Sequence, residues 1–224
     1  MIRRWIDRDA QVWLTDEEDE ALRLSDAGEC VVFVLTRQNR AFFSPRIRYA
    51  VEEPGNPEDS WLYRVWQRFS GQPWEIAATR RLLLREMTEA DLEALYELQP
   101  TGEESAFLEP LEEDRRAQRE RIRAYREHMY GLYEFGIWMA VERQTGRIVG
   151  RAGLQLREGF EEPELGFLVG KDFRGQGYAG EACRAVLAYA SEELGLSAVR
   201  AVVHRDNRKS LRLCEKLGFA VDNR

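Results

Sequence analysis

Glu164-Leu-Gly-Phe-Leu-Val-Gly-Lys-Asp-Phe-Arg-Gly-Gln-Gly-Tyr-Ala-Gly180 passes from a strand pattern through a glycine-rich turn into a helix. The strand reads as Glu164 to Val169, and the helix behind the turn sets Cys183, Leu187, Ala190 and Leu194 on one face. A strand, a Gly-rich turn and a helix in that order make a device for holding phosphate. Backbone N–H groups of Gly175, Gly177, Ala179 and Gly180 can converge because small residues allow close approach, and the helix start presents its positive dipole end. A pyrophosphate fits such a cradle. The same glycines serve equally in a plain tight turn, so the surrounding sequence has to decide.

Working outward, the C-terminal side adds a strand (Ala198 to His204), a helix (Asn207 to Leu217) and the start of a final strand at Phe219. On the N-terminal side, alternation in Ile137, Met139 and Val141 and again from Ile148 to Leu156 gives two strands joined at the Gln144-Thr-Gly146 turn. A long charged helix spans residues 112–133, and Thr88-Glu-Ala-Asp91 is a capping box for a helix carrying Leu92, Leu95 and Tyr96. Thr79 to Arg85 reads as the first strand of this region, which covers residues 79–224.

Residues 1–78 read as a separate small α/β unit. A strand at Val12 to Leu14 leads through the helix-start signal Thr15-Asp-Glu-Glu18 into a helix ending near Gly28, and Cys30 to Leu35 is a continuous apolar run, as in a strand covered on both faces. A strand at Arg48 to Val51 precedes the breaking cluster Pro54-Gly-Asn-Pro57, where Pro57 opens a helix with Trp61, Val65, Trp66 and Phe69 on one face. The carboxylates from Glu17 to Glu20 complement a helix dipole, and the tryptophan stripe is packing.

Composition bounds the function. With 44% hydrophobic and 33% charged residues the chain is of the folded class, and a net charge of −7 argues against nucleic acid as a partner while suiting a cationic substrate. Cys30, Cys183 and Cys214 lie far apart without metal-ligand spacing, which points to a reducing, cytoplasmic setting and no metal site. His128 and His204 have no partner at metal spacing either. The basic N-terminus has no apolar run behind it, so no secretory signal is expected, and no segment has the length to span a bilayer, so no membrane partner is expected.

Arg174-Gly-Gln-Gly177-Tyr-Ala179 resembles the (Gln/Arg)-x-x-Gly-x-(Gly/Ala) motif of the GNAT acetyltransferase superfamily. Asn207-Arg-Lys-Ser210-Leu-Arg-Leu-Cys-Glu-Lys216-Leu-Gly-Phe219 resembles its second motif, one helix and one strand further on as in that family. The resemblance covers about residues 79–222 and is nearest to the branch of ribosomal-protein N-terminal acetyltransferases. It implies an α/β fold with a mixed central sheet, splayed open between the strands at Glu164 to Val169 and Ala198 to His204. The cosubstrate it implies is acetyl-CoA. The pantetheine arm would lie in the gap and bond the backbone of Phe167, Leu168 and Val169, one N–H also polarising the thioester carbonyl. The diphosphate would occupy Arg174, Gly175, Gln176, Gly177, Tyr178, Ala179 and Gly180, and Asn207 would bond the pantetheine or an ordered water.

The implied reaction is direct attack of a primary amine, from a protein N-terminus or a small molecule, in a ternary complex. A base must take the amine's proton, and among Glu161, Glu162 and Glu164 the last lies on the rigid strand itself; as a bland alternative it is a sheet-edge carboxylate, since alternation alone does not fix its face. Many members carry Tyr where this chain has Cys214, so the usual phenolic acid is missing. Ser210, one turn away, is the substitute in the branch resembled and would hydrogen-bond the leaving thiolate. Cys214 reads as a small core residue. In the family the helical region bearing Tyr125, His128, Tyr130 and Tyr133 lines the acceptor site.

The family usually ends on two strands where this chain reaches only the first, so residues 1–78 are expected to cover or extend the sheet. The competing function is a non-catalytic acyl-CoA-binding module with a regulatory or interaction role. A homodimer is compatible with either.

Overall fold

The computed structural model describes residues 2–53, 56–102, 108 and 110–221. It divides into two compact units, Met1–Trp74 and Glu75–Arg224. In the first unit, β1 (Ile2–Asp7) pairs antiparallel with β2 (Ala10–Thr15), α1 (Glu18–Asp26) crosses over to β3 (Val31–Leu35), and β4 (Tyr49–Glu52) and α2 (Asp59–Phe69) follow. Strand order is β1-β2-β3-β4, with the last two pairings parallel. Val32 and Val34 pack with Leu62 and Val65 of α2, while Val31 and Phe33 pack with Ala21 and Leu24 of α1. That two-sided cover is why Cys30 to Leu35 is apolar without alternation.

Two details differ from expectation. The basic N-terminus forms β1, with Trp5 half-buried against the core that includes Val12 and Leu62. The buried face of α2 centres on Leu62 and Val65, with Phe69 47% exposed. The break expected at Pro54 and Gly55 lies outside the described residues.

The second unit is built on β5 (Glu75–Ala78), β6 (Leu82–Arg85), β7 (Ile137–Glu142), β8 (Ile148–Gln155) and β9 (Glu164–Val169), antiparallel throughout and in sequential order. The strand read over Thr79 to Arg85 is therefore a turn followed by β6, with β5 lying before it. Thr79 donates its N–H to the Leu82 carbonyl at 2.8 Å, and its Oγ1 accepts the Leu82 N–H at 2.9 Å, which closes a turn over Arg80 and Arg81. The boundary between units falls accordingly before β5.

α3 (Leu92–Leu98) starts from the expected box at Thr88 and Asp91. The long charged helix is α4 (Arg115–Tyr125), continuing through a wider-wound turn at residues 126–130 into α5 (Gly131–Tyr133). α6 (Tyr178–Glu192) lays Ala182, Cys183, Val186, Tyr189 and Ala190 into the core shared with Leu82, Leu84, Trp138, Leu154 and Leu165. Trp138 meets Tyr189 edge-on at 5.1 Å. α7 (Arg208–Lys216) follows.

The expected strand from Ala198 to His204 is reduced to one parallel bridge, Glu164 with Arg200. Leu165 donates its N–H to the Arg200 carbonyl at 2.8 Å and Arg200 donates to the Pro163 carbonyl at 3.0 Å, after which residues 201–204 form no ladder. Phe219 to Val221 form no strand, and residues 222–224 lie outside the described ones. The Val-rich composition of residues 199–203 favours a strand, but strand propensity is realised only where a neighbouring edge supplies the ladder. No described helix is long and apolar enough to cross a membrane.

Candidate active site

The edge of β9 opposite β8 is where the sheet opens. Donors and acceptors alternate between the two edges of a strand, and Leu165 points its N–H to Arg200, so Phe167 and Val169 face the same outer edge. Their even-numbered neighbours face β8, as the Gly170 N–H does in bonding the Val149 carbonyl at 3.0 Å. Leu168 stands opposite Arg151, and its backbone is committed to β8. Of the three residues expected to offer backbone bonds, Phe167 and Val169 retain N–H groups directed into the gap, whereas Leu168 does not. The gap exists because the parallel pairing stops after one bridge.

β9 runs from this edge into the turn at residues 170–177. Arg174 donates from Nε to the Val169 carbonyl at 3.2 Å, and Gln176 donates from Nε2 to the Asp172 carbonyl at 3.2 Å. Gly175 and Gly177 hold φ of 77° and 84°, the left-handed region that other residues enter at a cost, and Gly177 is the residue that opens α6. Gly175, Gln176 and Gly177 are exposed, while Tyr178 and Gly180 are buried beneath them. The first-turn N–H groups of α6 therefore stand at a solvent-facing helix start with small residues in front of them. That arrangement can accept a diphosphate without displacing a side chain.

Contacts invisible in the local sequence hold this turn. Arg81 donates from Nη1 to the Gln176 carbonyl at 2.9 Å and from Nε to Glu181 Oε2 at 2.7 Å, and its guanidinium lies 4.3 Å from the Tyr178 ring centre. Glu181 also accepts the Arg81 backbone N–H at 2.8 Å and the Thr79 hydroxyl at 2.6 Å. Burial pushes the Glu181 carboxyl up, but the bonds from Thr79 and Arg81 outweigh it and hold the group below its ordinary range. Tyr178 donates its hydroxyl to Glu142 at the end of β7. Arg81 and Thr79 lie about a hundred residues from the turn in sequence and Glu142 lies 36 from Tyr178, so no motif spacing announces them.

Glu164 is 5% exposed and accepts from Arg157 Nη1 at 2.9 Å. Glu162, next to it in the loop before β9, pairs with Arg200, whose guanidinium covers the Phe160 ring at 3.7 Å. Glu164 is thus a buried, ion-paired carboxylate beside the bridge that precedes the gap. Asn207 caps α7, its Oδ1 accepting the Ser210 N–H at 3.1 Å, so half of its amide is committed to the helix and its Nδ2 is the group left for a ligand. Ser210 is half-buried in the first turn of α7, and no hydrogen bond among the described residues joins it to Glu164 or β9. α7 packs against α6: a Cβ on Gly180 would lie 3.5 Å from Leu213. Cys214 is 6% exposed with its thiol pushed up by burial, and burial pushes Cys183 up to about 12, so neither is poised as a nucleophile.

Of the aromatic helix residues, Tyr125 accepts the Ile137 N–H at 2.7 Å, and Tyr130, 1% exposed, bonds both Met87 and Ile137. Both clamp the helix to β7. Tyr133 and His128 remain on the surface. A cavity of about 430 Å³ lies elsewhere, between β5 and α6, at the opposite edge of the sheet from β9. No cluster of three metal-ligating side chains occurs among the described residues.

Known proteins resemble the second unit in sequence and in fold. The family profile described as "Acetyltransferase (GNAT) domain" matches residues 81–220. The uncharacterized N-acetyltransferase YoaA of Bacillus subtilis is 30% identical over 149 residues, 64% of this chain and 82% of the relative. The solved acetyltransferase from Agrobacterium tumefaciens is 27% identical with a TM-score of 0.57, covering 65% of this chain and 84% of that one. RimL, a ribosomal L7/L12 alpha-N-protein acetyltransferase solved with coenzyme A, shares the fold at a TM-score of 0.54 and 15% identity, over 67% of this chain and 86% of that one.

Proposed function

Because the chain belongs to the GNAT acetyltransferase family, we propose that it moves an acetyl group from acetyl-CoA to a primary amine by direct attack within a ternary complex. The observation that carries this reading is continuous: a β9 edge left open beyond its one bridge to Arg200 leads through the turn at residues 170–177 into a helix start fronted by glycines. An extended amide-bearing arm ending in a diphosphate matches both parts. Acetyl-CoA supplies the activated thioester; the chain supplies position and charge.

The diphosphate meets the N–H groups at the start of α6 behind Gly175 and Gly177, and the arm bonds the outward backbone of Phe167 and Val169. A backbone N–H at this edge polarises the thioester carbonyl, a contribution that grows as negative charge develops on that oxygen. Glu164, its carboxylate fixed by Arg157, takes one proton from the acceptor's ammonium through ordered water; the freed amine attacks the thioester carbon, and the proton it sheds as the C–S bond breaks goes to the departing CoA sulfur. The Ser210 hydroxyl hydrogen-bonds the departing thiolate from the first turn of α7, as Asn207 Nδ2 holds the arm. Cys214 is kept for packing by its burial.

The acceptor is a primary amine of a protein N-terminus or a small molecule, drawn in as its ammonium at long range by the net charge of −7 and reacting once deprotonated. The test is free-thiol release from acetyl-CoA in the presence of a panel of peptides and small amines. Turnover with at least one acceptor is expected. Tight CoA binding with no turnover across the panel would replace the enzyme with a binding module.

A further inference from the structure

We propose that Arg81 is a positioning residue for the diphosphate turn, a strut that fixes the turn in its anion-accepting shape before the ligand arrives and neutralises Glu181 within it. The inference rests on the reading of that turn as the CoA site. A turn with two exposed glycines in the left-handed region has more backbone freedom to lose than one built from other residues, and a misshapen cradle binds more weakly by the fraction of time it is misshapen. Something must hold it from outside.

The side-chain bonds made within the turn and to β9, from Arg174 and Gln176, leave the Gln176 carbonyl to an external donor. Arg81 is that donor. Its planar fork spends Nη1 on the turn and Nε on Glu181, while its face covers Tyr178, so three successive parts of the turn and α6 register against one side chain. The base of the strut is rigid: the Arg81 carbonyl accepts the Arg143 N–H at 2.8 Å and Thr79 closes the turn beneath it.

Charge gives the second half of the argument. Glu181 sits in the first turn of α6, where a carboxylate favours the helix but opposes an incoming diphosphate. Donation from Arg81 Nε and the Arg81 backbone N–H, with Thr79 added, satisfies that charge and lets the helix start keep its attraction for a ligand anion. A lysine could neutralise Glu181 but has a single ammonium and no planar fork, so it could not also hold Gln176 in the same geometry.

The test uses the full chain and three ligands: CoA, dephospho-CoA, and pantetheine, which lacks the diphosphate. By calorimetry, Arg81→Ala should weaken CoA and dephospho-CoA alike, roughly ten- to a hundredfold for loss of charge-assisted bonds, and leave pantetheine unchanged. Hydrogen exchange of the unliganded protein should show faster exchange confined to residues 174–181. Equal losses for all three ligands, or no loss, would overturn the proposal, as would unchanged exchange in the turn. If Arg81→Ala does not fold, Arg81→Lys decides by the same criteria, with a smaller loss confined to the two diphosphate ligands expected. A wild-type protein that binds no CoA would refute the functional reading, and the exchange measurement on the unliganded chain would still judge the strut.

Discussion

Gly177 is the position where backbone geometry and ligand charge can be separated by two substitutions. Its φ of 84° is left-handed, which costs a residue with a Cβ about 1–2 kcal/mol. The added Cβ would lie 3.5 Å from Arg81 Nη2, an ordinary contact, so Gly177→Ala brings backbone strain and no clash. At roughly 2–4 °C per kcal/mol for a chain of this size, its melting temperature should fall by about 2–8 °C. CoA at a hundred times its dissociation constant adds about 2.7 kcal/mol, a rise of about 5–11 °C on the same scale, and Gly177→Ala should keep most of that rise. Gly177→Glu carries the same strain and places a carboxylate against the diphosphate. One such pair at about 4 Å repels by about 4 kcal/mol near a protein surface, more than the ligand contributes, so the rise should vanish. Thermal melts of the three proteins with and without CoA measure all of this. A Gly177→Glu protein that folds and keeps the full rise would refute the placement of the diphosphate.

Ser210→Ala should lower turnover about ten- to a hundredfold, for loss of one hydrogen bond to a charged group, while Cys214→Ala costs stability and spares turnover; a folded Cys214→Ala protein without activity would reverse those roles. Glu164→Gln should reduce kcat by about a hundredfold, within the range for a positioned general base, and undiminished turnover would leave Glu164 as a buried partner of Arg157 only. Asp91 tests the pairing that anchors α3. Burial raises its carboxyl, but the Arg85 fork and the Thr88 N–H outweigh that and set it below the ordinary value. Its contribution is therefore complete above the unfolded value of about 4 and lost as pH falls through the lower folded value. Asp91→Asn should cost about 3 kcal/mol at neutral pH, with the gap to wild type narrowing only below about pH 4 in denaturant titrations. The first unit's strands form a sheet of their own and do not extend the catalytic sheet as expected, and each unit has its own buried core, so residues 75–224 expressed alone should fold and keep the CoA-dependent rise in melting temperature.

Local features of the chain are legible in its sequence alone. The strand, turn and helix over residues 164–192, the hairpin at Gly146, the Thr88 box and the doubly covered strand after Cys30 all follow from short-range periodicity and turn chemistry, which are properties of adjacent residues. The motifs at Arg174 and Asn207 pointed to the family for the same reason. Expectations failed where a residue's state depends on a distant partner. Residues 201–204 have the composition of a strand and lack the ladder, because pairing with β9 ends at Arg200. Thr79 to Arg81 look like strand and form a turn, because Thr79 reaches Leu82 and Arg81 reaches a segment ninety-five positions away.

The division is sharpest within the site itself. Sequence determined that a glycine turn opens a helix after β9, since glycine alone enters left-handed geometry freely. Only the tertiary structure decided which backbone groups face the gap, since a strand's two edges are equivalent until neighbours claim one of them. Leu168 is committed to β8 and Phe167 and Val169 are not, because Leu165 bonds Arg200 on one edge and Gly170 bonds Val149 on the other. Tertiary structure also decided that Glu181 is neutralised and that Arg81 braces the turn, because a guanidinium and a carboxylate a hundred residues apart meet only when β6 and α6 share one core.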